Sequence, residues 1–226
     1  MKKQARANVK LKDAGAAIKL GPRFVRAFEF AARKHSGQTR KGTTVPYIAH
    51  VMGVASLVLE YGGDRDMAIA ALLHDVVEDC GGAPVLTEIR RQFGSRVARI
   101  VDGCTDSDTD PKPPWLERKQ GYIRHLRDAD DETRLVSAAD KLYNVRSISA
   151  AYRQIGERVF ARFAGGRDGT LWYYRALLDE FERDRLQVVH DLRLAVEELE
   201  ARVAGRKGVV PHAAGIGRFR NHAEHD

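Results

Sequence analysis

His74 and Asp75 are adjacent, and Glu78 and Asp79 follow one helical turn later, inside an otherwise apolar stretch, MAIAALLHDVVEDC at 67–80. An imidazole beside carboxylates can hold a divalent cation, and acids one turn further on can orient a water or take its proton. At ~100° per residue, Ile69, Ala70, Leu72, Leu73, Val76 and Val77 cover most of a helix circumference, and the four polar side chains crowd the remaining arc. Buried acids are costly unless something positive compensates them, and a metal ion would do so. Ala68 and Ala71 occupy the earlier part of the arc with side chains too small to fill it, which leaves room beside the polar group. A solvated surface helix that merely ends in acids fits poorly, because it would not carry aliphatic residues on its other sides as well.

Two further helices must supply the rest of such a site. Pro46 starts, and Gly62-Gly63 stops, a helix over 47–61 that carries His50 near its N-terminal end. Alone, His50 reads as an ordinary core or surface histidine; beside the His-Asp helix it becomes a candidate ligand. Over 131–148, Ser137, Asn144 and Ser147 fall within ~60° of Asp140 with Lys141 at the edge, while Leu135, Ala138, Ala139 and Leu142 take the other sides. That is a buried helix with a polar stripe centred on Asp140, which by itself would also suit an interhelical hydrogen-bond ladder. Together His50, His74, Asp75 and Asp140 are two imidazoles and two carboxylates from three helices. Such a mixed set suits Mn, Fe, Zn or Co, with positions open for water and substrate.

The remaining chain reads as helices and polar connections. Phe24, Ala27, Phe28, Ala31 and His35 fall at helical spacing after Pro22, and Gly37 ends the run. The loop 36–44, SGQTRKGTT, sets Arg40 beside Lys41; a planar guanidinium can stack on a base and contact phosphate, although loop solubility alone would account for the pair. Asp64 and Asp66 are capping candidates for the central helix. Leu86, Ile89 and Phe93, then Val97, Ile100 and Val101, predict two short amphipathic helices separated by Gly94. The loop 105–114 contains DSDTD but lacks the glycine and terminal glutamate of a calcium loop, and is expected to be solvated. Helices over 112–126 and 150–163, a turn at GGRDG (165–169) and one long or two short helices over 171–203 complete the chain. Trp172, Tyr173, Tyr174 and Phe181 suit core packing better than base stacking. No alternating run is long enough for a sheet, so the fold class is all-α, with about eight to ten helices.

The 226 residues are enough for one domain with a sizeable core. No apolar run approaches the ~18 residues of a membrane span, and no signal-peptide centre is present, so the default compartment is the cytoplasm. Cys80 and Cys104 form no CxxC pair and are expected to be reduced thiols. The net charge of +7 would suggest nucleic acid, but position argues otherwise. Residues 1–20 carry +5 and residues 201–226 carry +3, leaving about −1 for the body over 21–200. The basicity thus belongs to two tails, capable of weak non-specific nucleic-acid contact at most. Nothing in the sequence fixes the oligomeric state.

The arrangement of His50, the HD pair at 74–75 and the distant Asp140 is similar to the H…HD…D signature of HD-domain phosphohydrolases. Four segments extend the likeness: HSGQTRKGTTVPYIAH at 35–50, AALLHDVVED at 70–79, FGSRVARIVDGCTD at 93–106 and SAADKLYNVRSI at 137–148. With their spacing kept over about residues 23–150, they resemble the hydrolase domain of RelA/SpoT-type enzymes, especially the small stand-alone (p)ppGpp hydrolases. The resemblance implies a helical bundle around a metal site and manganese-dependent removal of the 3′-diphosphate of ppGpp or pppGpp, giving GDP or GTP and pyrophosphate. By position it implies His50, His74, Asp75 and Asp140 as metal ligands and Glu78 and Asp79 as the acids of water activation. It likewise implies Arg40 and Lys41 as holders of the guanine nucleotide, and Asn144 and Ser147 as residues facing its ribose and phosphates. The chain departs from the pattern at Cys80 and Cys104 and from about Gly165 onward. Two competing expectations are an HD phosphohydrolase for another nucleotide, such as a nucleoside monophosphate or NADPH, and a non-catalytic module that binds nucleotide or a partner. The latter would show a lost ligand or acid, and none is missing. The two short tails leave no room for a synthetase domain, and no regulatory module is expected.

Overall fold

The computed structural model describes residues 18–107, 111–182 and 186–205, so most of both basic tails, and any nucleic-acid contact they make, lies outside the described residues. Ten α-helices and one 3₁₀ segment are found there. They are α1 (Gly21–Lys34), α2 (Ile48–Glu60), α3 (Arg65–Leu73), α4 (Val76–Cys80), α5 (Gly82–Phe93), α6 (Ser95–Cys104), α7 (Trp115–Arg127), α8 (Asp131–Ile155), the 3₁₀ segment Gly156–Arg162, α9 (Gly166–Glu180) and α10 (Gln187–Val203). The only extended pairing among the described residues is an isolated bridge between Thr39 and Pro46 across the basic loop. No described helix is long and apolar enough to cross a membrane.

α8 is the spine: it packs against α2, α3, α6 and α10. α3 lies deepest, with Ala68, Ile69, Ala70, Ala71 and Leu73 at 0% exposure. Each large aliphatic side chain buried there contributes roughly 1.5–3 kcal/mol. Ala68 and Ala71 are therefore packed into the core. Caps set where the two site-bearing helices begin. Asp64 Oδ1 accepts the amides of Asp66 and Met67 at 2.9 and 3.0 Å ahead of α3, and Asp130 Oδ1 accepts the Thr133 amide at 2.9 Å in α8. Asp66 does not cap; it pairs with Arg23 Nη1 at 2.9 Å.

Gly53 fixes how closely α2 approaches α8. A Cβ on it would lie 2.0 Å from Tyr143 Cε2, a clash that only glycine avoids. Gly53 follows His50 by one turn and Tyr143 follows Asp140 by one turn, so this contact also brings the His50 and Asp140 levels together.

Several boundaries differ from the sequence reading. The stretch 67–80 is not one helix: it breaks at His74 and Asp75. α8 continues to Ile155, taking in only the first six residues of the separate helix expected over 150–163, and the segment Gly156–Arg162 after it is 3₁₀. No proline or glycine interrupts the run between Asp131 and Gly156, which has φ +58°. GGRDG is not a turn but the start of α9. α7 begins at Trp115 because Pro113-Pro114 holds the preceding backbone extended, and α10 ends at Val203, the expected limit of the 171–203 stretch. The loop 105–114 is not uniformly solvated, since the Asp106 side chain is only 5% exposed. Tyr173, Tyr174 and Phe181 are buried, as core packing requires.

Candidate metal centre

The interruption at His74-Asp75 solves a geometric problem. In an unbroken helix adjacent side chains diverge by ~100°. Here α3 ends at Leu73, Asp75 relaxes to φ −95°, ψ −6°, and α4 restarts at Val76. The two side chains thereby approach one another, His74 Nε2 lying 3.0 Å from Asp75 Oδ2. His50 Nε2 comes in from α2 to 3.2 Å from both Asp75 Oδ2 and Asp140 Oδ1. His74 Nε2 is 3.6 Å from Asp140 Oδ1. The donor atoms of His50, His74 and Asp140 all lie within 4.8 Å of one another, and all three residues are buried.

The donor set fits a cation. His74 Nδ1 lies 2.8 Å from the Ala71 carbonyl and donates to it, which leaves the Nε2 lone pair directed away from α3. That Nε2 is buried without a hydrogen-bond partner. His50 lacks such a brace on Nδ1 and is instead held between the rings of Tyr47 and Tyr143, with centroids at 5.4 and 5.1 Å. Burial opposes charge on every member of the group, yet the pairing prevails. The Asp75 and Asp140 carboxylates hold His74 well above the usual imidazole range. Asp75 is held well below the carboxylate range by His74 and His50, and Asp140 by Lys141 and the two imidazoles. A field that favours a proton on His74 this strongly favours a shared cation for the same reason.

A surrounding ring braces the ligands, and the sequence reading missed part of it. Tyr47 Oη donates to Asp75 Oδ2 at 2.6 Å; burial and that carboxylate push the phenol up. The available signal was position, since Tyr47 opens the helix of His50 and comes directly after Pro46. Lys141 Nζ and Asn144 Nδ2 each donate to Asp140 at 2.6 Å. Asn144 Oδ1 in turn accepts from Arg40 Nη2 at 2.5 Å, so Asn144 is engaged on both sides and links the basic loop to Asp140. The Arg40 guanidinium also lies 5.6 and 6.0 Å from the ring centres of Tyr47 and Tyr143. Lys41 is exposed on the loop. Ser147 turns its hydroxyl back to the Tyr143 carbonyl at 2.9 Å.

The two acids of α4 differ. Burial, then the charges of Asp106 and Asp75, push Glu78 above the usual carboxylate range, while Lys112 Nζ sits 2.9 Å from its Oε1. Asp79 does not face the interior: it is exposed, and its Oδ2 accepts from Gln38 Nε2 at 2.8 Å. Gln38 is fixed by the buried His35, whose Nδ1 is 2.7 Å from Gln38 Oε1 and whose ring stacks on Tyr47.

The chain is similar to known proteins in sequence and in fold. The family described as HD domain matches residues 27–171. The chain is 41% identical over 129 residues to the guanosine-3′,5′-bis(diphosphate) 3′-pyrophosphohydrolase MESH1 of Homo sapiens, covering 56% of this chain and 69% of that protein. It is 38% identical over 125 residues to the guanosine-3′,5′-bis(diphosphate) 3′-pyrophosphohydrolase of Aquifex aeolicus, covering 54% of this chain and 17% of that longer protein. A solved structure described as a metazoan ortholog of SpoT that hydrolyzes ppGpp superposes with a TM-score of 0.65 at 27% identity, covering 84% of this chain and 99% of the other.

Proposed function

This chain belongs to the HD domain family, and on that footing we propose that it hydrolyses the 3′-diphosphate from ppGpp or pppGpp, giving GDP or GTP and pyrophosphate. The observation that carries the reading is the convergence of His50, His74, Asp75 and Asp140 with the buried His74 Nε2 lacking a hydrogen-bond partner. These four hold a divalent cation; the mixed imidazole and carboxylate set suits Mn, Fe, Zn or Co, and the likeness to the (p)ppGpp hydrolases favours manganese among them. When bound, such a cation makes a neighbouring water more acidic and draws charge from phosphoryl oxygens.

The remaining roles fall to the chain's own groups. Glu78 takes the proton of the attacking water; burial and the neighbouring acids raise its proton affinity, which makes it a stronger base than a free carboxylate. Asp79, tied to Gln38, supports that edge rather than entering the centre. Arg40 and Lys41 bind the guanine nucleotide. Arg40 is set in place by Asn144, Tyr47 and Tyr143, so little side-chain freedom is lost when substrate arrives. Asn144 passes its position to Asp140, and Ser147 meets the ribose only if its hydroxyl leaves the Tyr143 carbonyl. We assign the activity to the helical body over 21–200.

The test is release of pyrophosphate and GDP from ppGpp by the purified protein with Mn²⁺, beside NADPH and a nucleoside monophosphate. Preferential cleavage of ppGpp is expected. Turnover of either alternative with ppGpp left intact would keep the metal chemistry and overturn the substrate.

A further inference from the structure

Lys112, Arg118 and Lys119 carry no role in the motifs above, yet all three gather at the Glu78 edge of the metal centre. Lys112, in the stretch before α7, lies 2.9 Å from Glu78 Oε1 and 3.7 Å from Asp79 Oδ1. Arg118, in the opening turn of α7, brings Nη1 to 3.8 Å from the same Glu78 oxygen. Asp106 holds the group in place. Its nearly buried carboxylate pairs one oxygen with Arg118 Nη1 and the other with Lys119 Nζ, both at 2.5 Å.

Among the described residues, donors outnumber acceptors here. A guanidinium offers five N–H groups and each ammonium three. Both Asp106 oxygens are taken, and Arg118 Nε is buried without a partner among the described residues. A set of salt bridges that merely pins α7 to the bundle would account for Asp106, Arg118 and Lys119. It does not account for Lys112, a 38% exposed side chain that nevertheless reaches the rim of the centre. A rim with spare charged donors suits an anion with several oxygens.

We propose that Lys112 and Arg118, backed by Lys119 and positioned by Asp106, form an anion subsite that takes the substrate's pyrophosphoryl group and holds the released pyrophosphate. The proposal rests on the 3′-pyrophosphohydrolase reading for the identity of that anion. In the reaction a bond forms from the water oxygen to the phosphorus on the 3′ oxygen, and the bond between that phosphorus and the 3′ oxygen breaks. The electron pair of the broken bond stays on the 3′ oxygen, which gains a proton, while the water gives one up. The subsite exchanges no electrons; it offsets charge on the pyrophosphoryl oxygens through charge-assisted hydrogen bonds.

Calorimetric titration of the full-length protein with inorganic pyrophosphate tests this, with free Mn²⁺ held constant because pyrophosphate itself binds the ion. Lys112→Ala and Arg118→Gln should each raise the Kd for pyrophosphate by about tenfold or more, the loss of a hydrogen bond between charged groups. GDP, titrated in parallel, should weaken by clearly less. An unchanged pyrophosphate Kd, or equal weakening of both ligands, would overturn the subsite. If Arg118→Gln fails to fold once Asp106 loses a partner, the exposed Lys112→Ala decides alone. The two readings fail separately. A protein that binds pyrophosphate through Lys112 but leaves ppGpp intact loses the substrate assignment and keeps the subsite. One that cleaves ppGpp while the variants bind pyrophosphate normally keeps the function and loses the subsite.

Discussion

At their N-terminal ends α3 and α8 are flanked or opened by Asp64, Asp66, Asp130 and Glu132, and further along the same two helices lead to Asp75 and Asp140. The first group meets guanidinium groups. Arg96 pairs with Asp64 at 2.7 Å and Glu132 at 2.5 Å, Arg99 pairs with Glu132 at 2.5 Å and with Asp130, and Arg23 pairs with Asp66 at 2.9 Å. The Asp64 and Asp130 side chains are 46% and 43% exposed, and both cap a helix. The second group is buried against imidazoles, and His74 Nε2 and His50 Nδ1 have no hydrogen-bond partner among the described residues. Acid count is therefore a poor mark of a site. What separates the two clusters is the partner: a guanidinium keeps its full positive charge and has no lone pair to offer, whereas an imidazole can exchange its proton for a shared cation.

The sharpest break of this contrast comes from neutralising one acid in each cluster. Asp75→Asn and Asp140→Asn should each abolish measurable ppGpp turnover. They should also lower metal affinity beyond the ~10–100-fold typical of an outer partner. Glu132→Gln should leave steady-state kinetics unchanged. Next in size, Glu78→Gln should retain metal and lower kcat by ~10²-fold or more if it handles the proton, and near-normal turnover would refute that role. Tyr47→Phe removes only the hydroxyl that braces Asp75 and should cost ~10–100-fold in metal affinity or activity, read by metal titration beside kinetics.

The smallest effect belongs to the arginine cluster. Burial raises the Asp64 carboxyl, but the Met67 and Asp66 amides and Arg96 outweigh it and hold it below its ordinary value; Glu132 is likewise held low, chiefly by Arg96. A lowered folded value means that the unfolded chain binds protons first as pH falls. The contribution is thus complete above the ordinary carboxylate range and is lost as pH drops through it toward the folded values. Glu132→Gln should cost about 0.2–1 kcal/mol at neutral pH, as an exposed pair does, and should flatten the acid limb of a Tm-versus-pH curve. An acid limb identical to that of the unaltered protein would show that the cluster does not contribute.

The contrast also explains what the sequence could reveal. His50, His74, Asp75 and Asp140 were legible because each sits on an apolar helix, where a polar residue needs a reason. Asp64 was legible as a cap because its type and place before the helix suffice. The break at His74-Asp75 was not, since nothing in LLHDVV marks it: the residues on both sides favour helix, and the departure arises only where α2 and α8 converge. The bracing roles of Tyr47 and His35 were not read from the sequence, because Tyr47 meets its partner Asp75 28 residues away on another element and His35 acts through Gln38 on the loop. Asp106 was misread because DSDTD is polar by composition, and only the return of α7 buries it under Arg118 and Lys119. The full length of α8 was within reach, as no breaker intervenes between Ile148 and Gly156.

Manganese titration of metal-free protein, monitored by the paramagnetic resonance of the free ion, tests the shared cation most directly. One ion per chain is expected, with His50→Ala from α2 and Asp140→Asn from α8 each losing that ion while keeping the helical circular dichroism of the parent. A stoichiometry and affinity unaltered in both variants would mean that the three helices do not meet at a common metal.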